Sequence, residues 1–427
     1  MLSREDNNRL TQVGPDTPLG RMMRRYWHPI ATSAELPKPD CKPMRAKLLG
    51  QTFVAFRDTS GKVGVMDELC THRGASMALG RVEDGGIRCI YHGWKFSVDG
   101  TILDMPNNAD STFKDRLKAP AYPVVEVSGL IWTYIGDANK KPPFRRFAYD
   151  EVPDSNRILF RVNTSANFFQ MWEGGTDSSH VGILHSNLMR PGWLKENHGE
   201  TALEVNDMVS DAWDDMSPQL DIENTAFGFH YASIRKIGGP QARNNVRLVP
   251  LFEPYGRVIQ FPDFFTTVYD VPMDDENTAT YLIDASFSRK LDLQERLKRS
   301  GMTEERFYKD NTFVANWDNS YWQDRDAMEK RKNWSGFKGI TQEDAVISTS
   351  MGPIYDRTQE HLVAADAAVV RLRKRLMDSI NLNEKGEDPI GLHLQDMTNV
   401  IGFDVDMPDG KIWREYAHQQ GLHKGEK

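Results

Sequence analysis

Two short runs of the sequence each combine one cysteine with one histidine: Cys70 with His72, and Cys89 with His92. A glycine follows each pair, at Gly74 and Gly93, so both pairs are predicted to lie on turns rather than on an apolar face. Thiolates and imidazoles are metal ligands, and four of them in so short a window are hard to explain as core packing. The runs therefore predict a metal ion or an iron–sulfur cluster.

The spacing of the four ligands favours the cluster. A structural zinc site usually has two cysteines close together and then two histidines, whereas each half here offers one sulfur and one nitrogen. In a [2Fe–2S] centre where histidines replace two cysteines, Cys70 and Cys89 would bind one iron, and His72 and His92 the other. Imidazole ligands raise the reduction potential above that of an all-cysteine cluster, so such a centre can accept electrons and pass them on.

A second group of potential ligands follows at Asp177, His180 and His185. Five residues rotate an ideal helix by about 500°, which would leave the two histidines about 140° apart. The helix must therefore widen into a π-type turn or end near Gly182 if both imidazoles bind one ion. A mononuclear Fe(II) oxygenase site needs two histidines and one carboxylate. Asp177 is one candidate, a more distant carboxylate is another, and Asp177 could instead cap a helix.

The elements that position these residues change character along the chain. Residues 44–135 alternate short β-branched or aromatic runs with glycine turns, which predicts a small all-β domain with the first four ligands on two loops. A polar, proline-containing stretch at residues 139–143 is a candidate boundary. Further antiparallel strands are predicted over four ranges: Val246–Phe252, Arg257–Phe261, Thr266–Val271 and Thr278–Phe287. The fold class is therefore α+β.

Two long helical regions are predicted near the end of the chain. Leu291–Trp334 is highly charged and predicted to be mostly helical, forming a solvated face. Thr358–Ile380 has the apolar stripe of an amphipathic helix, with Asp356 and Gln359 resembling a capping box at its start. His361 is predicted to be a surface or packing residue.

Length and composition exclude several classes of protein. A chain of 427 residues predicts two domains, and a net charge of -8 argues against a nucleic-acid partner. Cys41 is the one cysteine left without a role, so no disulfide framework is expected, which fits a cytoplasmic location. No apolar run approaches the roughly 18 residues of a membrane span, and the N-terminus lacks a signal-peptide pattern.

With these motifs in view, the chain resembles the oxygenase component of the Rieske non-haem iron oxygenases, in the group of phthalate dioxygenase and the aromatic O-demethylases. Besides the two ligand groups, the resemblance rests on four stretches: residues 13–20, 25–29, 173–180 and 350–362. It implies an N-terminal helical segment (1–40) packing on the catalytic domain, a Rieske [2Fe–2S] domain (41–140), and a catalytic domain (141–427) with a curved antiparallel sheet gripping helices.

The resemblance also implies roles for individual residues. His180, His185 and Asp344 would bind the mononuclear iron, with Glu343 as the neighbouring alternative to Asp344. Asp177 would be a catalytic bridge from His92 of one subunit to His180 of the next, which implies a homotrimer or a multiple of one. Gln170 stands in a region where related enzymes often carry asparagine.

Substrate residues are implied for an aromatic carboxylate. Arg247 would bind the carboxylate and Ser179 would donate a hydrogen bond. His230 replaces an arginine of phthalate-using relatives, which favours a phenol or methoxyl group beside one carboxylate; the alternative is a structural histidine on a strand.

The predicted function is oxidation of an aromatic acid with O2 and electrons that originate from NAD(P)H and arrive through a separate reductase or ferredoxin. O-demethylation of a methoxylated lignin-derived acid, including biaryl acids, is favoured over cis-dihydroxylation of a phthalate- or phenoxybenzoate-like acid. Two other classes predict different behaviour: an electron carrier with a binding module would need no second iron, and a zinc-stabilised binding protein would contain no iron at all.

Overall fold

The computed structural model describes residues 1–108, 112–189, 211–238 and 243–422. The chain divides into two units. The N-terminal unit comprises Val13–Phe144 and Val271–Asp274, and the C-terminal unit comprises Met1–Gln12, Arg145–Asp270 and Asp275–Lys427. The predicted segment 1–40 is thus split, because its first twelve residues cluster with the C-terminal unit and the remainder with the N-terminal unit.

The described part of the N-terminal unit contains three small antiparallel sheets, the short α-helix α2 (Pro18–Met23) and several 3-10 turns. The first sheet has the order β1 (Trp27–Thr32), β11 (Leu130–Tyr134), β10 (Val124–Val127). The second has the order β2 (Met44–Leu48), β3 (Gln51–Arg57), β4 (Val63–Asp67), β9 (Ala121–Tyr122). The third has the order β5 (Arg81–Glu83), β6 (Gly86–Arg88), β7 (Lys95–Phe96), β8 (Ile102–Asp104). The all-β character predicted for this region is confirmed.

The C-terminal unit is built on a ten-stranded sheet. Its main path is β14 (Gln219–Thr225), β15 (Gly228–Ile237), β16 (Arg243–Phe252), β17 (Gly256–Gln260), β18 (Phe265–Pro272), β19 (Thr278–Ala285), β13 (Arg157–Thr164), β21 (Thr312–Phe313), β20 (Tyr308–Lys309), and β23 (Phe403–Pro408) pairs with β16. A separate two-stranded pair joins β12 (Arg146–Phe147) to β22 (Asp396–Met397). The four predicted strands correspond to β16, β17, β18 and β19, so the antiparallel sheet is confirmed.

The helices of this unit include α1 (Arg4–Thr11), α3 (Phe168–Thr176), α4 (Val181–Leu184), α5 (Ser186–Met189), α6 (Leu293–Arg299), α7 (Arg325–Glu329), α8 (Ile340–Ser350), α9 (Ala367–Glu384) and α10 (Trp413–Gln419). Helix α3 packs against α8, α9 and the strands β17 and β19. This packing places α3 against the strands β17 and β19 of the large sheet. Within the described ranges, no helix combines the length and the apolar character needed to cross a membrane.

Both long helical predictions need correction. The region Leu291–Trp334 contains two short α-helices, α6 and α7, and a 3-10 helix at Trp317–Trp322. Between α6 and the 3-10 helix, Tyr308 and Phe313 lie in strands and bury their rings in the core. The amphipathic helix begins at Ala367 instead of Thr358. Asp356 closes a local turn by accepting the Thr358 backbone N–H. Glu360, which follows this turn, forms a buried ion pair with Arg373.

Candidate functional site

The two cysteine-containing loops of the N-terminal unit have the same backbone design. The Gly74 N–H donates to the Cys70 carbonyl over 2.8 Å, and the Gly93 N–H donates to the Cys89 carbonyl over 3.0 Å. Both glycines adopt positive φ, +73° and +77°, which favours glycine because it has no Cβ. Each loop is therefore closed so that one cysteine and one histidine project from the same turn.

The two cysteines of the four ligands are buried, whereas the two histidines are partly exposed. Cys70 and Cys89 are buried in the core of the unit. The imidazoles of His72 and His92 lie 4.5 Å apart between ring centroids, and His72 stacks on Trp94 at 4.6 Å. The Nδ1 atom of His92 is buried and has no hydrogen-bond partner among the residues that the structure describes. A buried nitrogen left without a partner fits a metal ligand, since such a group is otherwise costly.

The electrostatics of these side chains agree with that set. Burial raises the pKa of the Cys70 thiol to about 11, and the adjacent Cys89 contributes in the same direction. Burial and the neighbouring His72 lower the pKa of His92, which keeps its imidazole neutral. Two buried sulfurs beside two imidazoles fit a [2Fe–2S] cluster with mixed ligands. Metal binding would deprotonate the thiols.

The second ligand group lies where the helix α3 breaks. Helix α3 ends at Thr176, and His180 and His185 flank the single turn of α4. The predicted end of the helix near Gly182 is present, because α4 ends at Leu184, and a second interruption at Asp177 separates α3 from α4. Backbone dihedrals of -93° and 21° at His185 depart from helical values, and the two imidazoles meet at 5.2 Å between ring centroids.

Helix α8 supplies a carboxylate that faces both histidines. An Asp344 oxygen lies 3.2 Å from His185 Nε2 and 3.9 Å from His180 Nε2. One ligand atom from each of the three residues lies within 4.8 Å of the others, so the group could hold a metal ion. Burial opposes ionisation of Asp344, but the nearby His185 outweighs it and lowers the pKa of the carboxyl group. Two histidines and one carboxylate form the donor set of non-haem iron oxygenases.

Two further carboxylates contact the Nδ1 atoms of the imidazoles, on the side of each ring away from Asp344. Asp177 Oδ2 lies 3.3 Å from His180 Nδ1, and Glu343 Oε2 lies 2.7 Å from His185 Nδ1. These contacts fix each ring so that Nε2 faces Asp344, as outer carboxylates commonly do for metal-binding histidines. Glu343, the alternative to Asp344, therefore contacts the far side of His185.

Asp177 also organises the turn before α4. Its carboxylate accepts hydrogen bonds from the Ser179 N–H, the Ser179 hydroxyl and the His180 N–H at 2.7–3.2 Å. Burial raises the pKa of this carboxyl group, but the contacts with His180 and Ser179 prevail and lower it to about 2. Asp177 therefore closes the turn that precedes α4 and contacts His180, whereas the N-cap position of α4 is occupied by His180 itself.

A cavity of about 370 Å³ opens beside these residues, within the C-terminal unit. His180, Asp177 and Asp344 contribute to its wall. The apolar part of the wall includes Val162, Leu184, Leu188, Ile259, Phe261, Phe264, Val268, Leu282, Ala345 and Ile347. A concave, mostly apolar space with a few converging polar groups is typical of a small-molecule site.

The three predicted substrate residues lie outside this wall. The Ser179 hydroxyl donates to Asp177. His230 is buried, bonded to Glu223 Oε2 at 2.9 Å and packed edge-on against Trp413. This is the environment of the alternative interpretation, a structural histidine on a strand. Arg247 is buried on β16 and lies behind Phe261, with its guanidinium carbon 5.9 Å from the centre of that ring.

Two wall residues have roles that the sequence did not reveal. Gln170 joins α3 to the end of α8, because its amide donates to the carbonyls of Ser348 and Gly352 and accepts the Tyr355 N–H. Arg257 also lines the cavity, where it forms a buried ion pair with Asp270. The available signal for it was an arginine inside a predicted strand, next to Val258 and Ile259.

The two units together define a class of protein. A pair of cysteine–histidine loops on small β-sheets, and a two-histidine, one-carboxylate group beside an apolar cavity, are the cluster and metal sites of a multicentre iron oxygenase. Comparison with known proteins identifies the family. The Rieske [2Fe-2S] domain matches residues 26–123, and the LigXa C-terminal domain like family matches residues 133–426. The chain belongs to the Rieske oxygenases and is an oxidoreductase.

Known relatives cover nearly the whole chain. It is 33% identical over 422 residues to a phthalate 4,5-dioxygenase oxygenase subunit from Pseudomonas putida, covering 97% of this chain and 95% of that one. It is 30% identical to a 5,5'-dehydrodivanillate O-demethylase oxygenase subunit from Sphingobium sp., covering 91% and 83%. A solved NdmA variant from Pseudomonas putida CBB5 with caffeine has the same fold, with 18% identity, a TM-score of 0.62 and coverage of 93% and 100%. The family places a [2Fe–2S] cluster and a mononuclear iron in such chains, which act as oxygenase subunits of multicomponent systems.

Proposed function

We propose that this chain oxidises an aromatic carboxylate, with His180, His185 and Asp344 as the iron ligands. The observation that carries the proposal is the position of these three side chains, which converge beside a largely apolar cavity. A cavity of about 370 Å³ is within the usual size range of small-molecule sites, and its apolar wall suits an aromatic ring.

The residues around the ligands have separate tasks in this proposal. Iron bound there would supply the activation of O2. Glu343 holds the His185 ring through Nδ1, and Asp177 does the same for His180, so both imidazoles keep one orientation. Phe261, Leu184 and the other apolar wall residues exclude water from the space where the substrate would lie. Cys70, His72, Cys89 and His92 would hold the cluster that receives electrons from the reductase.

Asp177 is also proposed to connect the two metal centres between neighbouring copies of the chain. Its contact with His180 is one half of that connection. The other half would be His92 of the next copy, and the assembly would be a homotrimer or a multiple of one. Replacing Asp177 by Asn should leave both metals bound but slow product formation severely. Near-normal turnover of D177N would refute the bridging role.

Two reactions remain candidates for the same metal chemistry. O-demethylation of a methoxylated aromatic acid, including a biaryl acid, is supported by the similarity to the dehydrodivanillate O-demethylase subunit. Ring cis-dihydroxylation of a phthalate-like acid is supported by the similarity to the phthalate dioxygenase subunit. His230 was the residue that favoured the first reaction. Because His230 is bonded to Glu223 and lies outside the cavity wall, it gives no reason to prefer O-demethylation over dihydroxylation.

The test is a screen of aromatic acids with the holoenzyme and a surrogate reductase, in which oxygen uptake and formaldehyde are measured together. Formaldehyde in proportion to oxygen consumed indicates demethylation, and uptake without formaldehyde indicates ring oxidation. His180→Ala should abolish substrate-dependent uptake while the cluster remains reducible, whereas His361→Ala, at an exposed position, should behave as the wild type. Unchanged uptake by H180A would refute the proposed iron site and favour an electron carrier.

A further inference from the structure

A closed hydrogen-bond network lies on the side of His185 away from Asp344. The Nδ1 atom of His185 contacts one carboxylate oxygen of Glu343 at 2.7 Å, and the other oxygen accepts a hydrogen bond from the Ser335 hydroxyl. Ser335 belongs to segment 333–337, which lies between α7 and α8. The side chain of Asn187, two residues after His185, is bonded to the same segment. The network therefore starts at the His185 imidazole and returns to the backbone that carries it.

Segment 333–337 is fixed by its own side chains and by Asn187. The Asn187 amide group donates to the Asn333 side chain over 2.8 Å, and its oxygen accepts the Trp334 N–H over 2.7 Å. The Asn333 side-chain oxygen also accepts the Gly336 N–H over 2.7 Å. These contacts tie the segment to α5 and close it on itself, so the serine hydroxyl in its middle is held in one position.

Glu343 depends on that hydroxyl because it is buried without a cationic side chain beside it. It is 1% exposed, and within the described ranges it forms an ion pair with neither a lysine nor an arginine. The Ser335 hydroxyl and His185 Nδ1 are its close contacts, whereas the Asn187 amide lies at 3.4 Å. A buried carboxylate oxygen that loses its donor is costly, so without Ser335 the Glu343 side chain would turn toward other donors and away from His185.

Helix α8 contacts the His185 imidazole from both sides. Glu343 lies at Nδ1, and the next residue of the helix, Asp344, lies 3.2 Å from Nε2. Both nitrogens belong to one rigid ring, so a rotation that releases Nδ1 from Glu343 also changes the direction of Nε2. The direction of Nε2 thus depends on how firmly Glu343 is held.

We propose that Ser335 is a positioning residue of the metal site, which holds Glu343 against His185 so that Nε2 keeps its direction toward the metal. The inference rests on the proposed iron ligands and extends the site to a residue that would contact neither the metal nor the substrate. Loss of a carboxylate that holds a metal-binding histidine usually weakens metal binding about 10–100-fold. Ser335 acts through such a carboxylate, so its loss should have an effect near the lower end of this range.

Fe(II) binding tests this role separately from turnover. The full chain, with its cluster filled and its mononuclear site emptied, would be titrated with Fe(II), and the nitric oxide adduct of that iron would be followed by EPR. The oxidised cluster is EPR-silent, so the signal reports the mononuclear site alone. Ser335→Ala should bind Fe(II) about tenfold more weakly and give a signal of altered shape. Ser335→Thr, which keeps the hydroxyl, should recover most of the affinity and the wild-type signal.

Two controls separate positioning from a general loss of stability. Ser379→Ala removes a buried hydroxyl on α9, which accepts the Ile390 N–H over 3.1 Å, and it should leave Fe(II) affinity unchanged. In a chain that already carries Glu343→Gln, Ser335→Ala should cause little further loss, because the two side chains act in series on the same imidazole.

Several results would overturn the proposal. Wild-type Fe(II) affinity in S335A, equal weakening in S335A and S379A, or fully additive losses in S335A and E343Q would each show that Ser335 does not act through Glu343. In these cases a wild type that binds Fe(II) normally leaves the proposed iron ligands standing. If the wild type itself binds no Fe(II) at this site, the proposed function fails together with the positioning role.

Discussion

Arg357 is the centre of a buried charge network that fixes the helix carrying Asp177 at its end. Its side chain is 0% exposed and forms hydrogen bonds to both carboxylate oxygens of Glu173, at 2.7–3.1 Å, and to Asn7 of α1 at 3.0 Å. Arg373 of α9 reaches the same Glu173 at 2.6 Å. Arg357→Met would therefore remove one cation from a set that joins α1, α3 and α9.

The expected loss follows from the burial of the partners. Glu173 is 13% exposed, so removal of Arg357 leaves its charge only partly compensated by Arg373. Breaking a buried ion pair by removing one partner costs about 3–5 kcal/mol. Arg4 provides a contrast in the same region, because its pair with Asp356 spans 3.5 Å and is 77% and 42% exposed. Such a surface pair contributes roughly 0–1 kcal/mol.

Thermal unfolding, followed by circular dichroism, measures the difference between the two variants. A loss of 3–5 kcal/mol should lower the Tm of the C-terminal unit by an amount on the order of 10 °C. Arg4→Met should stay within about 2 °C of the wild type. If R357M and R4M shifted the Tm equally, the assignment of this network as the anchor of α3 would be wrong.

Three further predictions concern the cluster loops, the imidazole orientation and a buried carboxyl group. Cys89→Ser should abolish the visible absorption and the iron of the cluster, whereas Cys41→Ser should leave both unchanged. Glu343→Gln should weaken iron binding about 10–100-fold by loosening the His185 ring, measured as mononuclear iron content at fixed free iron. Burial raises the pKa of Glu253 to about 8, so this group should make the folded state progressively less stable as the pH rises from about 4.5 to 8, and Glu253→Gln should remove that dependence.

The sign of the Glu253 effect is fixed by linkage. Between these pH values the folded protein keeps a proton that the unfolded chain releases, so each rise in pH favours unfolding. The wild-type and E253Q stabilities should therefore diverge as the pH rises, with the variant more stable at pH 8.5. A parallel pair of stability curves would contradict the raised pKa. For Glu343→Gln, an intact cluster spectrum with normal mononuclear iron would contradict the orienting role.

Most of the elements near the two sites could be predicted from local sequence patterns. The Cys70 and Cys89 loops could be predicted because turn-forming glycines and ligand spacing are both local signals. Strands β16–β19 could be predicted within three residues because each is rich in β-branched and aromatic residues and is bounded by turn-forming residues. The end of α4 before His185 was also predictable, since two histidines five residues apart cannot share one face of a regular helix.

Features that depend on distant partners could not be read in the same way. The start of α9 was misplaced because Glu360 pairs with Arg373 and Arg357 with Glu173, contacts that no helical period encodes. The surroundings of His230 depend on Glu223 and Trp413, from an adjacent strand and a helix far along the chain. Likewise, the shared contact of Arg235 and Arg247 with the ring of Trp213 emerges only when β15 and β16 are placed in register.

The division of the chain has a consequence for folding during synthesis. Helix α1 belongs to the C-terminal unit, where it packs against α3 and α9. Translation yields α1 before the strands of the N-terminal unit, and α9 follows α1 by more than three hundred residues. We therefore expect the sheets of the N-terminal unit to fold on the ribosome before α3 and α9 are available to pack against α1. A chaperone that acts on nascent chains would then encounter α1 unpacked.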